Sequence, residues 1–181
     1  MNEQQKKKTS KFLSYVLRHH PELINLNLDE NGWADVAELI TKSKRDSYED
    51  FTFEELDEIV QTNEKKRFAF NEDKTRIRAS QGHSIDINLA LIPQQPPEFL
   101  YHGTAENNIK SILENGIEKR NRQHVHLSQD KETATNVGMR HGKPIILTIK
   151  TQAMFEDGIE FYFSDNQVWL TDFVDKKYIA E

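Results

Sequence analysis

The sequence contains no cysteine. That excludes disulfides, thiolate zinc sites and cysteine nucleophiles, and it fits a reducing compartment. Long apolar runs are missing as well. Nothing approaches the roughly 18 consecutive apolar residues of a membrane span, and the polar, lysine-rich stretch from Met1 to Lys11 has no apolar segment behind it. The expectation is a cytoplasmic protein, neither exported nor anchored. A positive balance is also absent: the formal net charge of -6 argues against a protein that coats nucleic acid indiscriminately, because such binding is driven by phosphate neutralisation.

The charges that are present are unevenly spread. Basic residues gather at Lys6 to Lys8 and Lys11, at Arg18, at Lys65 to Arg67, at Arg76 and Arg78, and at Lys119, Arg120 and Arg122. Acids are densest from Asp46 to Glu58 and again late in the chain. A focused basic site on an acidic body suits an enzyme that grips one phosphate. With 181 residues and 36% hydrophobic content, the chain can bury the cores of one ordinary domain or two small ones.

Apolar periodicity predicts a helix over Thr9 to His20, a second around Val36 to Ile40 after the Asn31-Gly32 turn, and a third from Thr52. Thr52 and Glu55 there have capping-box spacing. Residues 67–70 and 75–78 alternate around a turn and read as a β-hairpin, so three helices and a hairpin suggest a winged-helix lobe over residues 1–92. Pro93-Gln94-Gln95-Pro96-Pro97 lacks N–H donors at its prolines and is expected to connect two domains over residues 93–97. Beyond it, over 98–181, strands are expected at 99–102, 125–127, 145–149, 159–163 and 168–170, with helices at 109–115 and 131–137. The overall class is α+β.

Several segments carry chemistry-bearing side chains, each with a plain alternative. Arg18, His19 and His20 end a helix, where basic residues also complement the helix dipole. His102, Gly103 and Thr104 follow a strand, where glycine permits close approach to a ligand; Thr104 could instead cap a following helix. His124 and His126 fall on one side of a strand, but no third local ligand completes a zinc site. Arg140-His141-Gly142-Lys143-Pro144 could be a solvated turn, and Val168-Trp169-Leu170-Thr171 a core strand.

Taken together, eight ordered pieces resemble the RNA 2′-phosphotransferase family. They are Leu-Arg-His-His-Pro at 17–21, Asp-Glu-Asn-Gly-Trp at 29–33, Arg-Phe at 67–68, Arg-Ala-Ser-Gln-Gly-His-Ser at 78–84, Tyr-His-Gly-Thr at 101–104, Arg-Gln-His-Val-His-Leu-Ser at 122–128, Arg-His-Gly-Lys-Pro at 140–144 and Val-Trp-Leu-Thr at 168–171. The resemblance implies a winged-helix lobe followed by a mixed β lobe similar to ADP-ribosyltransferases, with the active site in the cleft between them. It implies a catalytic tetrad of Arg18, His19, Arg67 and Arg122, and NAD+ contacts from His102, Gly103, Thr104, His126 and Ser128. Arg140 and His141 are assigned to NAD+ or RNA contact, and Val168 stands where many ADP-ribosyltransferases carry glutamate. Gln81 and His83 are implied as RNA contacts. Ser80 departs from an expected asparagine and Gln167 from an expected glycine.

The implied reaction uses NAD+ as co-substrate and no metal. The RNA 2′-phosphate attacks the ribose carbon bearing nicotinamide, and nicotinamide leaves. The neighbouring ribose hydroxyl then attacks phosphorus, releasing 2′-OH RNA and ADP-ribose 1″,2″-cyclic phosphate. Arginines match phosphate oxygens in planar bidentate geometry, and His19 could donate a proton to the departing RNA oxygen or hold the attacking hydroxyl. The expected partners are RNA bearing an internal 2′-phosphate and NAD+, in tRNA splicing or RNA repair, with a monomeric protein and no membrane. Two rival readings are a protein mono-ADP-ribosyltransferase, for which Glu160 is the nearby strand acid, and a non-catalytic winged-helix binder of nucleic acid.

Overall fold

The computed structural model describes residues 1–45 and 48–180, so Asp46, where the acid-rich run begins, and Glu181 lie outside the described residues. The chain divides into two compact units, Met1–Ala90 and Leu91–Glu181. The architecture is mixed α and β, with six α-helices and several small antiparallel sheets among the described residues.

In the first unit, α1 (Glu3–Arg18) begins six residues earlier than apolar periodicity suggests. Asn2 and Gln5 form a capping box that starts the helix ahead of its buried face, which is Thr9, Leu13, Val16 and Leu17. Its lysine-rich first half is steadied by Lys6, which pairs with Glu58 at 2.8 Å. The helix stops at Arg18 because His20 precedes Pro21, a context that disfavours helical backbone, and Pro21–Ile24 forms a single 3-10 turn. Next come β1 (Ala34–Asp35), α2 (Val36–Arg45), α3 (Phe53–Thr62), β2 (Phe68–Phe70) and β3 (Arg76–Ala79). Thr52 and Glu55 do form the capping box at the start of α3. The strands make one antiparallel sheet in the order β1-β3-β2, with Phe70 and Ala34 both opposite Ile77. Leu13, Leu17, Leu39, Leu56, Phe68 and Ile77 meet in a single core between the helices and this sheet.

The second unit is built on two seven-residue strands, β4 (Phe99–Ala105) and β7 (Pro144–Lys150), paired antiparallel along their whole length. Between them in sequence lie α4 (Ile109–Asn115), ended by Gly116 at φ 84°, β5 (Ile117–Glu118), β6 (Val125–Leu127) and α5 (Lys131–Gly138). After β7 come α6 (Thr151–Glu156), β8 (Tyr162–Phe163), β9 (Trp169–Thr171) and β10 (Phe173–Val174). A second sheet has the order β6-β9-β8, and β5 pairs with β10. Leu100, Leu127, Ile149, Met154, Phe161 and Trp169 form this unit's core.

The proline stretch is held against the second unit. Pro93 bridges to Tyr162, the Gln94 N–H donates to the Phe161 carbonyl at 2.8 Å, and the Thr151 hydroxyl donates to the Pro97 carbonyl at 2.6 Å. Prolines offer no N–H, so their carbonyls and the intervening residue supply this pairing.

Candidate active site

In the first unit, Arg18 is the last residue of α1, His19 is its C-cap, and Arg67 immediately precedes β2. Some 48 positions separate Arg67 from His19 in sequence, yet one short loop, Ser80 to Ser84, bonds to the main chain of both regions. At one end the Ser80 N–H donates to the Arg67 carbonyl at 2.9 Å and the Ser80 hydroxyl to the Lys66 carbonyl at 2.7 Å. At the other, the Ser84 N–H donates to the Arg18 carbonyl at 3.0 Å, and Ser84 Oγ lies 2.9 Å from His19 Nδ1. Gly82, at φ 86°, supplies the turn between them. The departure at Ser80 is therefore structurally occupied: its hydroxyl holds a carbonyl of Lys66, a residue in left-handed backbone at φ 40° beside Arg67.

His83 is not available as an RNA contact. Its side chain is 1% exposed, and neither ring nitrogen has a hydrogen-bond partner among the described residues. Burial, followed by the charges of Arg18, His19 and Arg78, lowers its pKa to about 3, so it is a neutral imidazole packed beneath the cationic groups. The histidine type suggests a surface role, but the loop turns it inward. Nearby, the Arg78 guanidinium lies over the Trp33 ring, 4.5 Å from its centroid.

In the second unit, His102, Gly103 and Thr104 all lie within β4, which runs on to Ala105. Thr104 is buried and accepts from the Asn108 side chain at 3.2 Å; Ala105, not Thr104, precedes the following 3-10 turn. Gly103 answers first to packing, since a Cβ there would lie 1.7 Å from the Ala134 carbonyl oxygen of α5. Tyr101 and Ser128 exchange both main-chain bonds, at 2.9 and 2.8 Å, which brings the segment after β6 against β4. That places His102 beside His126. The His126 carbonyl can only accept, so His102 Nδ1 donates to it at 3.2 Å, and Nε2 is left as an acceptor. Burial lowers the His102 pKa, opposed by that bond and reinforced by Arg120 and Arg122.

Arg122 donates from a terminal nitrogen to His126 Nδ1 at 2.9 Å, which puts the His126 ring proton on Nε2. Burial and then the charge of Arg140 lower the Arg122 pKa, although a guanidinium remains protonated in any case. His102, Arg122, His126, Ser128 and Arg140 thus gather in one electropositive neighbourhood of this unit. His141 is exposed on the turn after α5, and Val168 lies one residue before the β6-β9 ladder; neither makes a described contact with the group. Glu160, the acid that a protein ADP-ribosyltransferase would need, accepts from the Tyr162 hydroxyl at 2.8 Å. Sequence reasoning gave no site role to Ser84 or Arg120. Arg120 is visible in the sequence only as part of a basic run, and Ser84 only as the last residue of the piece at 78–84.

A sequence profile of the RNA 2′-phosphotransferase, Tpt1 / KptA family matches residues 4–173. This chain belongs to that family. It is 59% identical over 179 residues to a protein of Flavobacterium johnsoniae named "Probable RNA 2′-phosphotransferase", covering 99% of this chain and 98% of the relative. Proteins given the same name in Fusobacterium nucleatum and Hahella chejuensis are 57% and 53% identical, over 95% and 96% of this chain and 96% and 93% of their own lengths. Family membership makes the protein a transferase with RNA as its named substrate class. No helix among the described residues is long and apolar enough to cross a membrane.

Proposed function

We propose that this protein transfers an internal RNA 2′-phosphate to ADP-ribose in an NAD+-dependent reaction, leaving a 2′-OH on the RNA. The observation that carries the reading is the loop from Ser80 to Ser84, which bonds at one end to Arg67 and at the other to Arg18 and His19. Unrelated surface cations have no need of a shared main-chain anchor, whereas a pair of arginines and a histidine serving one phosphate dianion do.

In this reading Arg18, Arg67 and Arg122 grip and neutralise the phosphoryl oxygens, whose charge grows in the transition state, and a preorganised guanidinium contributes most at that moment. His19 exchanges a proton with the ribose oxygens at phosphorus. Residues 1–90 act as a winged-helix lobe and 91–181 as an ADP-ribosyltransferase-like lobe.

The donor set of the second unit fits the co-substrate. His102 offers a neutral Nε2 acceptor suited to a sugar hydroxyl, and Arg140, close enough to Arg122 to affect it, offers charge for its phosphates. When bound, NAD+ would supply an electrophilic ribose carbon with nicotinamide as leaving group. The chain needs no nucleophile of its own and no carboxylate base, which is consistent with valine at position 168.

The test is a short RNA with one internal 2′-phosphate, incubated with and without NAD+ while RNA and nucleotide products are followed. Loss of the 2′-phosphate only with NAD+, with nicotinamide released in equal amount, is expected. Release of free inorganic phosphate would overturn the reading.

A further inference from the structure

We propose that Ser84 is the positioning residue of His19, holding the ring through Nδ1 in the orientation in which Nε2 exchanges a proton with substrate. The inference rests on the functional reading above for the meaning of His19, but the contact itself stands on geometry. Ser84 Oγ lies 2.9 Å from His19 Nδ1, and the two residues are 65 positions apart.

His19 needs such a partner for a structural reason. It sits at the C-cap of α1 with φ -130°, outside the helix, so helical side-chain packing no longer limits its rotamer. Imidazole has two chemically distinct nitrogens, and the bond made by one decides what the other can do. A serine hydroxyl both donates and accepts, so it can follow Nδ1 through either protonation state: it accepts from the Nδ1–H when the ring is charged, and Nε2 then gives up a proton. This is the arrangement required of a group that hands a proton to a departing RNA oxygen and recovers it afterwards.

The anchor is itself anchored. The Ser84 N–H is tied to the Arg18 carbonyl at 3.0 Å, and the neighbouring His83 is buried, so the hydroxyl is presented from a fixed stretch of backbone. Because the Arg18 bond uses the main chain, it survives replacement of the Ser84 side chain, and the hydroxyl can be removed without releasing the loop. The surrounding charge also favours a hydroxyl here. Arg18 and Arg78 lie close enough to influence His83, and a carboxylate at position 84 would compete with substrate phosphate for these arginines. A serine orients the ring without adding negative charge.

The experiment compares Ser84→Thr with Ser84→Val, an isosteric pair differing in the hydroxyl, alongside Ser84→Ala. Loss of the hydroxyl should lower kcat for NAD+-dependent 2′-phosphate removal about 10-fold, the scale of one hydrogen bond lost from a positioned ring, with KM for RNA unchanged. Ser84→Thr should restore most of the rate. In a His19→Ala background, Ser84→Ala should cost nothing further, which a purely structural role would not predict. Long-range 1H–15N NMR of His19 should show the Nδ1 resonance shifted in Ser84→Ala and Ser84→Val and restored in Ser84→Thr, because the partner of Nδ1 is gone.

Equal rates in Ser84→Thr and Ser84→Val, an additive loss in the His19→Ala background, or an unmoved His19 Nδ1 resonance would each overturn the proposal. A wild-type protein that fails to remove the RNA 2′-phosphate would instead overturn the functional reading. The NMR comparison would still decide whether Ser84 controls the His19 ring.

Discussion

The first unit hangs its candidate groups on an irregular loop, with Ser80 and Ser84 bonded to main-chain carbonyls at Lys66, Arg67 and Arg18. The second lays its groups along strands, where His102 in β4 and His126 in β6 meet because Tyr101 and Ser128 exchange main-chain bonds. A loop anchor couples distant residues, so disturbing one end is felt at the other. A strand anchor fixes side chains by register, and it fails mainly when the packing beneath the strand fails.

The largest expected effect ignores this distinction. Arg18→Ala, Arg67→Ala and Arg122→Ala should each slow 2′-phosphate removal about 100-fold or more, the scale of one donor lost from a transition-state charge. At least one of these, or His19→Ala, should accumulate RNA carrying ADP-ribose on its 2′-phosphate, seen as a slower band on a gel. Near wild-type rates for Arg122→Ala alone would mean that the first unit carries the phosphate chemistry by itself.

The next effect should separate the units. Gly103→Ala forces a Cβ to within 1.7 Å of the Ala134 carbonyl, and displacing α5 from β4 should cost about 3 kcal/mol. Hydrogen exchange should then show lost protection in residues 91–180 and unchanged protection in the core of residues 1–90. Uniform loss across both would show that the two units unfold as one.

His83 makes the loop anchor sensitive to pH. Its folded pKa of about 3 lies below the ordinary histidine value of 6.5. The unfolded chain therefore binds the extra proton in the window between them, and stability is full above about pH 6.5 and falls as pH drops toward 3. Between pH 7.5 and pH 5 the first unit should lose about 2 kcal/mol, and His83→Leu should remove most of that dependence. Parallel denaturation curves for the two proteins at both pH values would contradict it.

A smaller effect belongs to the strand anchor. His102→Ala should weaken use of NAD+ about 10-fold through loss of one acceptor, while titration with phosphorylated RNA stays near the wild-type affinity. Collapse of RNA affinity with NAD+ use intact would reverse the roles given to the two units. Smallest of all, Gln167 holds φ 62° at the position where the family resemblance expects glycine. Gln167→Gly should stabilise the second unit by about 0.5 kcal/mol, the relief of a left-handed residue less the entropy of a glycine. A thermal melt resolves it.

Elements with local signals are legible in the amino-acid sequence. The Thr52-Glu55 box starts α3, Gly116 ends α4, and alternation marks β6 at Val125–Leu127. The start of α1 is not, because Lys6 to Lys8 hide its first turns from a search for apolar spacing. Two-residue strands such as β1, β5 and β10 exist only through partners far away in the chain, so no local pattern announces them. The site divides in the same way. Motif residues can be named from their types and spacing, but the Ser84 contact to His19 and the burial of His83 are products of loop path.

Six non-glycine residues among those described have positive φ, and three of them, Lys66, Arg120 and Gln167, fall within two positions of Arg67, Arg122 and Val168. For an engineer seeking a more heat-resistant protein, relaxing such positions to glycine is an obvious first move. At Lys66 that move would also loosen the chain next to Arg67, a candidate phosphate ligand whose carbonyl and that of Lys66 are both held by Ser80. Durability and aim are therefore set against each other at one backbone angle, and the safer substitutions lie at Asn25, Lys74 and Ala90, away in sequence from the candidate site residues.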